Sequence, residues 1–534
     1  MDRSRSRRQP TWPLLGLLAL LGFTGLLSRH TINRDTVPLT ADASGYYRTT
    51  LTLDRHLSQG RYREAGRVLL RSGIRPPLPQ LVTIAVYRAL GERSQRVARL
   101  SVVLFLWLLL AATFAIGARL RDRPTGLLAA TLLACFPQVI GYSRCYWMDL
   151  PLAAMVALNV WALLLSEGLR RRGPSLLLGL TLGAGLLTKY TFPVFVAGPA
   201  LVLVGAGLRA RRRALRLRLE NLALCLFTAV LVTALWYLPS VSAAWDNFLF
   251  NQGGGALSPR SPWTLANLTL YLRHLALTQL GLLFSAALLV GVILLFARRR
   301  DRARAPLLLW LGLPYLFFTF VVLGMEWARF TLPCLAAAAL LVALSLMQFR
   351  FHLSVRAGSA ALALCGLLGY VYLTYGSRTP GAFPAQRISG RGLLTAEEAG
   401  FLIPIRHLVP PVAGRWTQVA LAPDVGNLGS VLETLALEER LKIRVSVPHE
   451  PEAHGFKGRH AFPHRVSDPR YIAEFDYVIE VEPPPGVRMT FRQPARYRLF
   501  RAAWTRARRG FVLSRRQRLA NGVTLAVHRN RALR

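Results

Sequence analysis

Lysine is almost missing from this chain. Of its 67 cationic residues, only Lys189, Lys442 and Lys457 are not arginine. Acidic residues are scarce as well, 26 in all, which leaves a net charge of +41. The five cysteines lie in or beside apolar runs and none falls in the polar C-terminal third, so neither a disulfide framework nor a zinc spacing is present. No glycine-rich loop can cradle a nucleotide phosphate: Gly253–Gly255 are followed by no strand-to-helix signal with basic residues and read as loop. A nucleophile elbow is lacking too, as is any internal repeat.

What is plentiful is apolar sequence. Hydrophobic residues make up 53% of the 534 positions, and the mean hydropathy is +0.34. They gather in runs near the length of a bilayer crossing, and the arginines cluster between them. That placement is the mark of a polytopic membrane protein and excludes a nucleic-acid partner, whose binding needs a continuous basic face.

Arg3, Arg5, Arg7 and Arg8 precede the run Trp12–Leu27, and no small-x-small cleavage site follows. The segment reads as an uncleaved anchor with its N-terminus inside. Pro77–Leu90 is too short to cross and reads as a helix at the outer interface. Spans are then predicted at Leu100–Gly117, Thr125–Ile140, Leu150–Leu169, Leu176–Leu187, Phe192–Leu208, Leu222–Leu238, Leu275–Phe296, Leu307–Leu323, Phe330–Met347 and Leu362–Tyr375. Ser240–Arg273 is read as an outer loop. The total is about eleven spans, with arginine-rich loops inside.

The tail from residue 376 onward is polar. Thr417–Ala422, Ile443–Val447, Tyr477–Val481 and Thr524–Val527 read as strands and Gly429–Arg440 as an amphipathic helix. The expected architecture is therefore an all-α polytopic membrane protein with a C-terminal extracytoplasmic α/β domain. Its parts are an anchor span (1–29), a first extracytoplasmic loop (30–99), a transmembrane core (100–375) and the α/β domain (376–534). A basic domain of this kind can lean on anionic lipid heads.

Several polar residues stand where these segments open to the outside. Asp42, about 15 residues beyond the first span, can serve as a general base on an acceptor hydroxyl at the interface; it is equally placed to cap a helix, with Tyr46 and Tyr47 as interface aromatics. Asp149 closes the segment Tyr142–Asp149 at the mouth of a span, where it either faces a wet cavity or caps a helix started by Pro151. Arg144 is its candidate partner or a snorkelling head. Lys189, in Leu187-Thr188-Lys189-Tyr190, suits a phosphate, and the scarcity of lysine argues for a reason to keep it. Arg329 can clamp a phosphate or pair with Glu326. His449, His454, His460 and His464 match no metal-ligand spacing.

Taken in order, these segments resemble those of the polytopic glycosyltransferases that use polyprenyl-phosphate sugars. That group includes the protein O-mannosyltransferases and the bacterial enzymes that add aminoarabinose to lipid A (the GT-C fold). The resemblance rests on Thr40-Ala41-Asp42-Ala43-Ser44-Gly45-Tyr46, Arg75-Pro76-Pro77-Leu78, Ser143–Asp149, Leu187–Tyr190 and Arg329-Phe330-Thr331-Leu332-Pro333. It covers roughly residues 10–375 in order and topology. Two positions depart from the pattern: Ala43 stands where a second acid is usual, and Arg75 where histidine is usual. The first weakens a paired-carboxylate metal site; no metal ligand is assigned, although a divalent cation stays open as a cofactor.

The resemblance implies transfer of a sugar from a polyprenyl-phosphate donor to a lipid, glycan or protein hydroxyl by a single displacement. Asp42 would act as base, Lys189 and Arg329 would hold the donor phosphate, and Asp149, Arg144, Tyr46 and Arg75 would orient the substrates. The implied location is the inner membrane, with a cytoplasmic N-terminus. The alternatives are a transporter or flippase for a lipid-linked or anionic solute, against which the missing repeat argues, and a non-catalytic assembly partner, which the two departures would suit.

Overall fold

A computed structural model describes residues 10–34, 39, 41–71, 76–208, 212–252, 261–297, 304–322, 327–349, 352–375, 409–412, 417–422, 443–446, 472, 475–482, 494–518 and 524–533. The chain divides into two compact units. The first takes Met1–Arg34, Leu53–Glu92 and Arg96–Ser389; the second takes Asp35–Thr52, Arg93–Gln95 and Gly390–Arg534.

The first unit is helical. Its early elements are α1 (Trp12–Arg34), the later part of α2 (Ala41–Ser58), α3 (Tyr62–Arg71) and α4 (Leu78–Leu90). Then come α5 (Gln95–Leu120), α6 (Arg123–Cys135), α7 (Pro137–Tyr142), α8 (Asp149–Leu165), α9 (Arg172–Leu186), α10 (Phe192–Leu208) and α11 (Arg212–Gln252). The unit continues with α12 (Leu265–Arg273), a π-helical turn (His274–Gln279), α13 (Gly281–Ala297), α14 (Arg304–Phe320), a 3-10 turn (Ala328–Cys334), α15 (Leu335–Gln348) and α16 (Leu353–Tyr375).

Among the described residues five helices are long and apolar enough to cross a bilayer: Trp12–Arg34, Gln95–Leu120, Leu215–Val241, Ala328–Gln348 and Leu353–Tyr375. A bent pair, Leu265–Gln279 with Gly281–Phe296, makes six if it is one span. Leu78–Leu90, Asp149–Leu165, Phe192–Gly207 and Arg304–Phe320 are apolar but shorter. The outward faces of α11 and α13 are apolar, Leu235 being 88% exposed, as a surface covered by lipid requires.

Two of the segments expected to be continuous are broken, each for a local reason. Thr125–Ile140 splits at Phe136, whose extended backbone (φ −65°, ψ 127°) precedes Pro137. Proline clashes with a helical residue before it and offers no N–H to the turn below. Leu275–Phe296 bends by 116°: Gly281 adopts φ +73°, a left-handed conformation costly for any side chain. Phe330–Met347 falls within one span, Ala328–Gln348, whose first part is the 3-10 turn with Pro333 inside it. The reading of Ser240–Arg273 as a loop is also overturned. α11 runs on to Gln252 with Pro239 inside it, and α12 follows at Leu265 with Thr264 accepting from the Asn267 amide as its cap.

Small residues let the helices approach. A Cβ on Gly179 would lie 2.4 Å from the Cys225 carbonyl oxygen, and one on Gly183 would lie 2.8 Å from Val232. This four-residue spacing seats α9 directly on α11. Within the bundle the Asn159 amide on α8 donates to Thr181 Oγ1 on α9 at 3.0 Å.

In the second unit the sheet order is β2-β1-β3-β5-β4, with β1 (Thr417–Ala422), β2 (Ile443–Ser446), β3 (Tyr477–Glu482), β4 (Phe511–Arg518) and β5 (Thr524–Asn530). β1 pairs parallel with β2 and β3, and β5 pairs antiparallel with β3 and β4. A helix, α17 (Pro494–Ala507), supplies Ala503 and Trp504 to a core with Ala420, Ile472, Phe475, Val478 and Phe511. Four strands fall where the sequence placed them. β4 went unread: it is an edge strand with a register shift between Leu513 and Arg515, so its side chains lack the alternation of a half-buried strand. The expected helix at Gly429–Arg440 and the four tail histidines lie outside the described residues.

Candidate functional site

Three of the segments singled out in the sequence meet in the first unit, although they are far apart along the chain. Asp149 opens α8 and stands in its first turn, where the helix dipole favours a carboxylate. Lys189 follows the end of α9. Phe192, the first residue of α10, packs back on the end of that helix, where a Cβ on Gly185 would lie 2.2 Å from the ring. The turn so formed carries Lys189 back to α8. Its Nζ donates to Asp149 Oδ1 at 2.7 Å, the two side chains being 13% and 3% exposed. The short length marks a charge-assisted bond. It uses one of the three ammonium donors.

Arg329 and Phe330 lie on the 3-10 turn that precedes α15. The Arg329 guanidinium stacks 4.0 Å from the Trp147 ring centroid and lies 5.2 Å from Phe330 and 5.8 Å from Trp327. The Lys189 ammonium is 5.3 Å from the same Phe330 ring. Phe330 is thus shared by both cations and is backed by Phe318 of α14 in a stacked pair at 5.7 Å. Stacking on aromatic rings fixes the plane of a guanidinium.

The loop from Ser143 to Met148 is fastened on several sides. Ser143 Oγ and Tyr370 OH each lie 3.3 Å from Ser28 Oγ of α1. Tyr146 OH donates to Thr83 Oγ1 of α4 at 3.1 Å, and Thr83 lies 2.8 Å from Ser101 Oγ of α5. The Leu78 amide donates to the Leu187 carbonyl at 2.9 Å, tying α4 to the segment that carries Lys189.

Arg144 does not pair with Asp149. It is buried and turns to α16, where Nη2 donates to Thr374 Oγ1 at 2.6 Å and the guanidinium lies 5.3 Å from the Tyr370 ring. Burial pulls its pKa below the usual arginine value, with Tyr370 opposing. Lys189, not Arg144, is the partner of Asp149, and a lysine so covered is not snorkelling.

Asp42 and Tyr46 belong to the second unit. Both are half-buried in the first turns of α2, four residues apart, with Ala43, Ser44 and Tyr47 buried beside them. Arg75 and Glu326 lie outside the described residues. Among the described residues no group of three or more His, Cys, Asp or Glu is placed to hold a metal ion.

Two contributors escaped the sequence reading. Trp147 sat inside a quoted segment without a role. Gln279, a single amide in the apolar run Leu275–Phe296, holds the Arg329 turn. An amide at membrane depth was itself a signal.

The fold and these positions can be compared with known proteins. Residues 75–237 match the family model described as dolichyl-phosphate-mannose-protein mannosyltransferase. The undecaprenyl phosphate-alpha-4-amino-4-deoxy-L-arabinose arabinosyl transferase 1 of Sodalis glossinidius is 31% identical over 245 residues, 44% of this chain. The match spans 42% of the length of that relative. The crystal structure of ArnT from Cupriavidus metallidurans bound to undecaprenyl phosphate superposes with a TM-score of 0.58 at 16% identity, covering 97% of this chain and 98% of that one. Its fold is that of the GT-C glycosyltransferases. The Archaeoglobus fulgidus oligosaccharyltransferase (TM-score 0.52, 15% identity, 88% and 69% covered) and the mycobacterial arabinofuranosyltransferase AftD (0.53, 12%, 96% and 40%) share it.

Proposed function

We propose that this chain is an integral-membrane glycosyltransferase that moves a sugar from a polyprenyl-phosphate donor to a hydroxyl on the outer face of the membrane. The observation that carries the reading is the meeting of Lys189 and Arg329 at Phe330, with Asp149 paired to Lys189, in a fold shared with an ArnT crystallised with undecaprenyl phosphate. The sites open on the outer side, the N-terminus is cytoplasmic and the membrane is the inner one.

In this reading Asp42 takes the proton of the acceptor hydroxyl as its oxygen attacks the anomeric carbon. The bond from that carbon to the phosphate oxygen breaks, and its electron pair leaves on the phosphate. The donor diester carries one negative charge and the departing polyprenyl phosphate gains a second. Lys189 and Arg329 stabilise that developing charge, the contribution that usually dominates such a step. One displacement inverts the anomeric configuration. Asp149 keeps the Lys189 ammonium aimed at the phosphate, and Trp147 does the same for Arg329. No step calls on a metal ion, and no residue of this chain is assigned to one.

The test is mass spectrometry of surface glycolipids and glycoproteins from cells lacking the gene, complemented with wild type or Asp42→Asn at equal expression. A glycan lost on deletion, restored by wild type and reduced about a hundredfold or more by Asp42→Asn is expected for a lost general base. Full restoration by Asp42→Asn would remove Asp42 from this role. An unchanged glycan profile on deletion would remove the transferase reading.

A further inference from the structure

Arg329 sits on a turn with little structure of its own. The 3-10 turn has no side-chain cap, and 3-10 hydrogen bonds are poorer than α-helical ones. What holds it comes from the bent helix pair. Gln279 is the last residue of the π-helical turn, just before the 116° bend at Leu280 and Gly281. It is fully buried. Its Nε2 donates to the Ala328 carbonyl at 2.6 Å and to Thr331 Oγ1 at 2.7 Å, and its Oε1 accepts from Tyr315 OH at 2.6 Å. Both residues bonded by Nε2 flank Arg329 and Phe330, and the Ala328 carbonyl belongs to the peptide that leads into Arg329. The amide can stand only this way round, since that carbonyl needs a donor and Tyr315 then needs an acceptor.

A π-helical turn widens the backbone and throws its side chains off the α-helical register, and such turns gather at functional sites. Here the turn aims one amide across the bundle at the phosphate-facing segment. We propose that Gln279 is the positioning residue of the phosphate clamp: it sets where Arg329 stands relative to Lys189, and Tyr315 locks its orientation. The inference rests on the phosphate role proposed for the two cations.

The test measures binding of undecaprenyl phosphate to the full chain in lipid nanodiscs, for wild type, Gln279→Leu, Arg329→Ala and the double variant. Gln279→Leu is expected to weaken binding about tenfold, the equivalent of ~1.4 kcal/mol, and to have no further effect once Arg329 is alanine. A purely structural amide would weaken both backgrounds alike, because effects that do not share a partner add. Equal losses in the two backgrounds, or wild-type binding by Gln279→Leu, overturn the inference. Should Gln279→Leu not fold, Tyr315→Phe, which removes only the hydroxyl, decides. A loss of about threefold, ~0.7 kcal/mol, that vanishes in the Arg329→Ala background supports the inference, and no loss overturns it. If wild type does not bind the lipid phosphate, the function proposed for the cations fails first and this inference falls with it.

Discussion

Replacing Lys189 by methionine removes the ammonium while keeping the length of the side chain, and leaves Asp149 3% exposed with its ion-pair partner gone. At 2.7 Å and an effective dielectric of 20 the gross attraction is about 6 kcal/mol, most of it offset by the desolvation of both ions. Breaking such a pair costs about 3–5 kcal/mol because one charge stays buried alone. Two features place the expected loss at the lower end, about 3 kcal/mol. Lys189 retains some contact with solvent, and the α8 N-terminus supports the remaining carboxylate. Thermal unfolding of the full chain in nanodiscs should then show a fall of a few degrees in Tm for Lys189→Met. Asp149→Asn strands the ammonium and should fall by a similar amount. The double variant Lys189→Met/Asp149→Asn removes both charges and should recover at least half of the combined loss. If the losses of the two single variants simply add in the double, the two groups are not coupled, and the account of this pair is wrong.

Other outcomes follow from the same geometry. Trp147→Ala removes the ring on which Arg329 stacks and should weaken undecaprenyl phosphate binding by roughly three- to thirtyfold, the range of a partly desolvated cation–π contact; unchanged binding in nanodiscs would show that the stack does not orient Arg329. In the C-terminal unit the Glu480 carboxyl is held below its ordinary value of 4.5, first by the hydrogen bond with His528 and then by the Arg508 charge, against the effect of burial. A depressed carboxyl contributes stability that is complete above the unfolded value and is lost as pH falls through the folded one. Protection of the β3 amides, corrected for the intrinsic exchange rate at each pH, should therefore fall below about pH 4.5, and Glu480→Gln should flatten that dependence; the same acid sensitivity in the variant would assign it elsewhere.

The extent to which the chain could be read beforehand differs between elements. β1 matched its predicted bounds because its ends are abrupt in composition and its strand signal is local. β4 escaped because an edge strand with a register shift does not alternate. The break at Pro137 was readable in principle, since proline restricts its neighbour wherever it occurs. The bend at Gly281 was not: glycine permits a positive φ without requiring it, and only the packing of α12 and α13 decides that it is used. Asp149, Lys189 and Arg329 were each visible as polar residues at the ends of apolar runs. Their individual partners were not, and Arg144, the nearer cation in sequence to Asp149, bonds Thr374 instead.

The order of residues alone determined that this chain is apolar, arginine-flanked and many times folded across its length, with a strand-bearing polar tail. Those properties are sums over neighbouring residues, and hydropathy needs no third dimension. That Lys189 closes on Asp149, that Phe330 lies between two cations and that Gln279 reaches the turn bearing Arg329 was decided by tertiary structure. The Lys189–Asp149 pair, the Lys189–Phe330 contact and the Gln279–Ala328 bond each join residues at least 40 positions apart. Their distances are set by where helices stop, bend and pack, through positions such as Gly185 and Gly281 that carry no chemistry of their own.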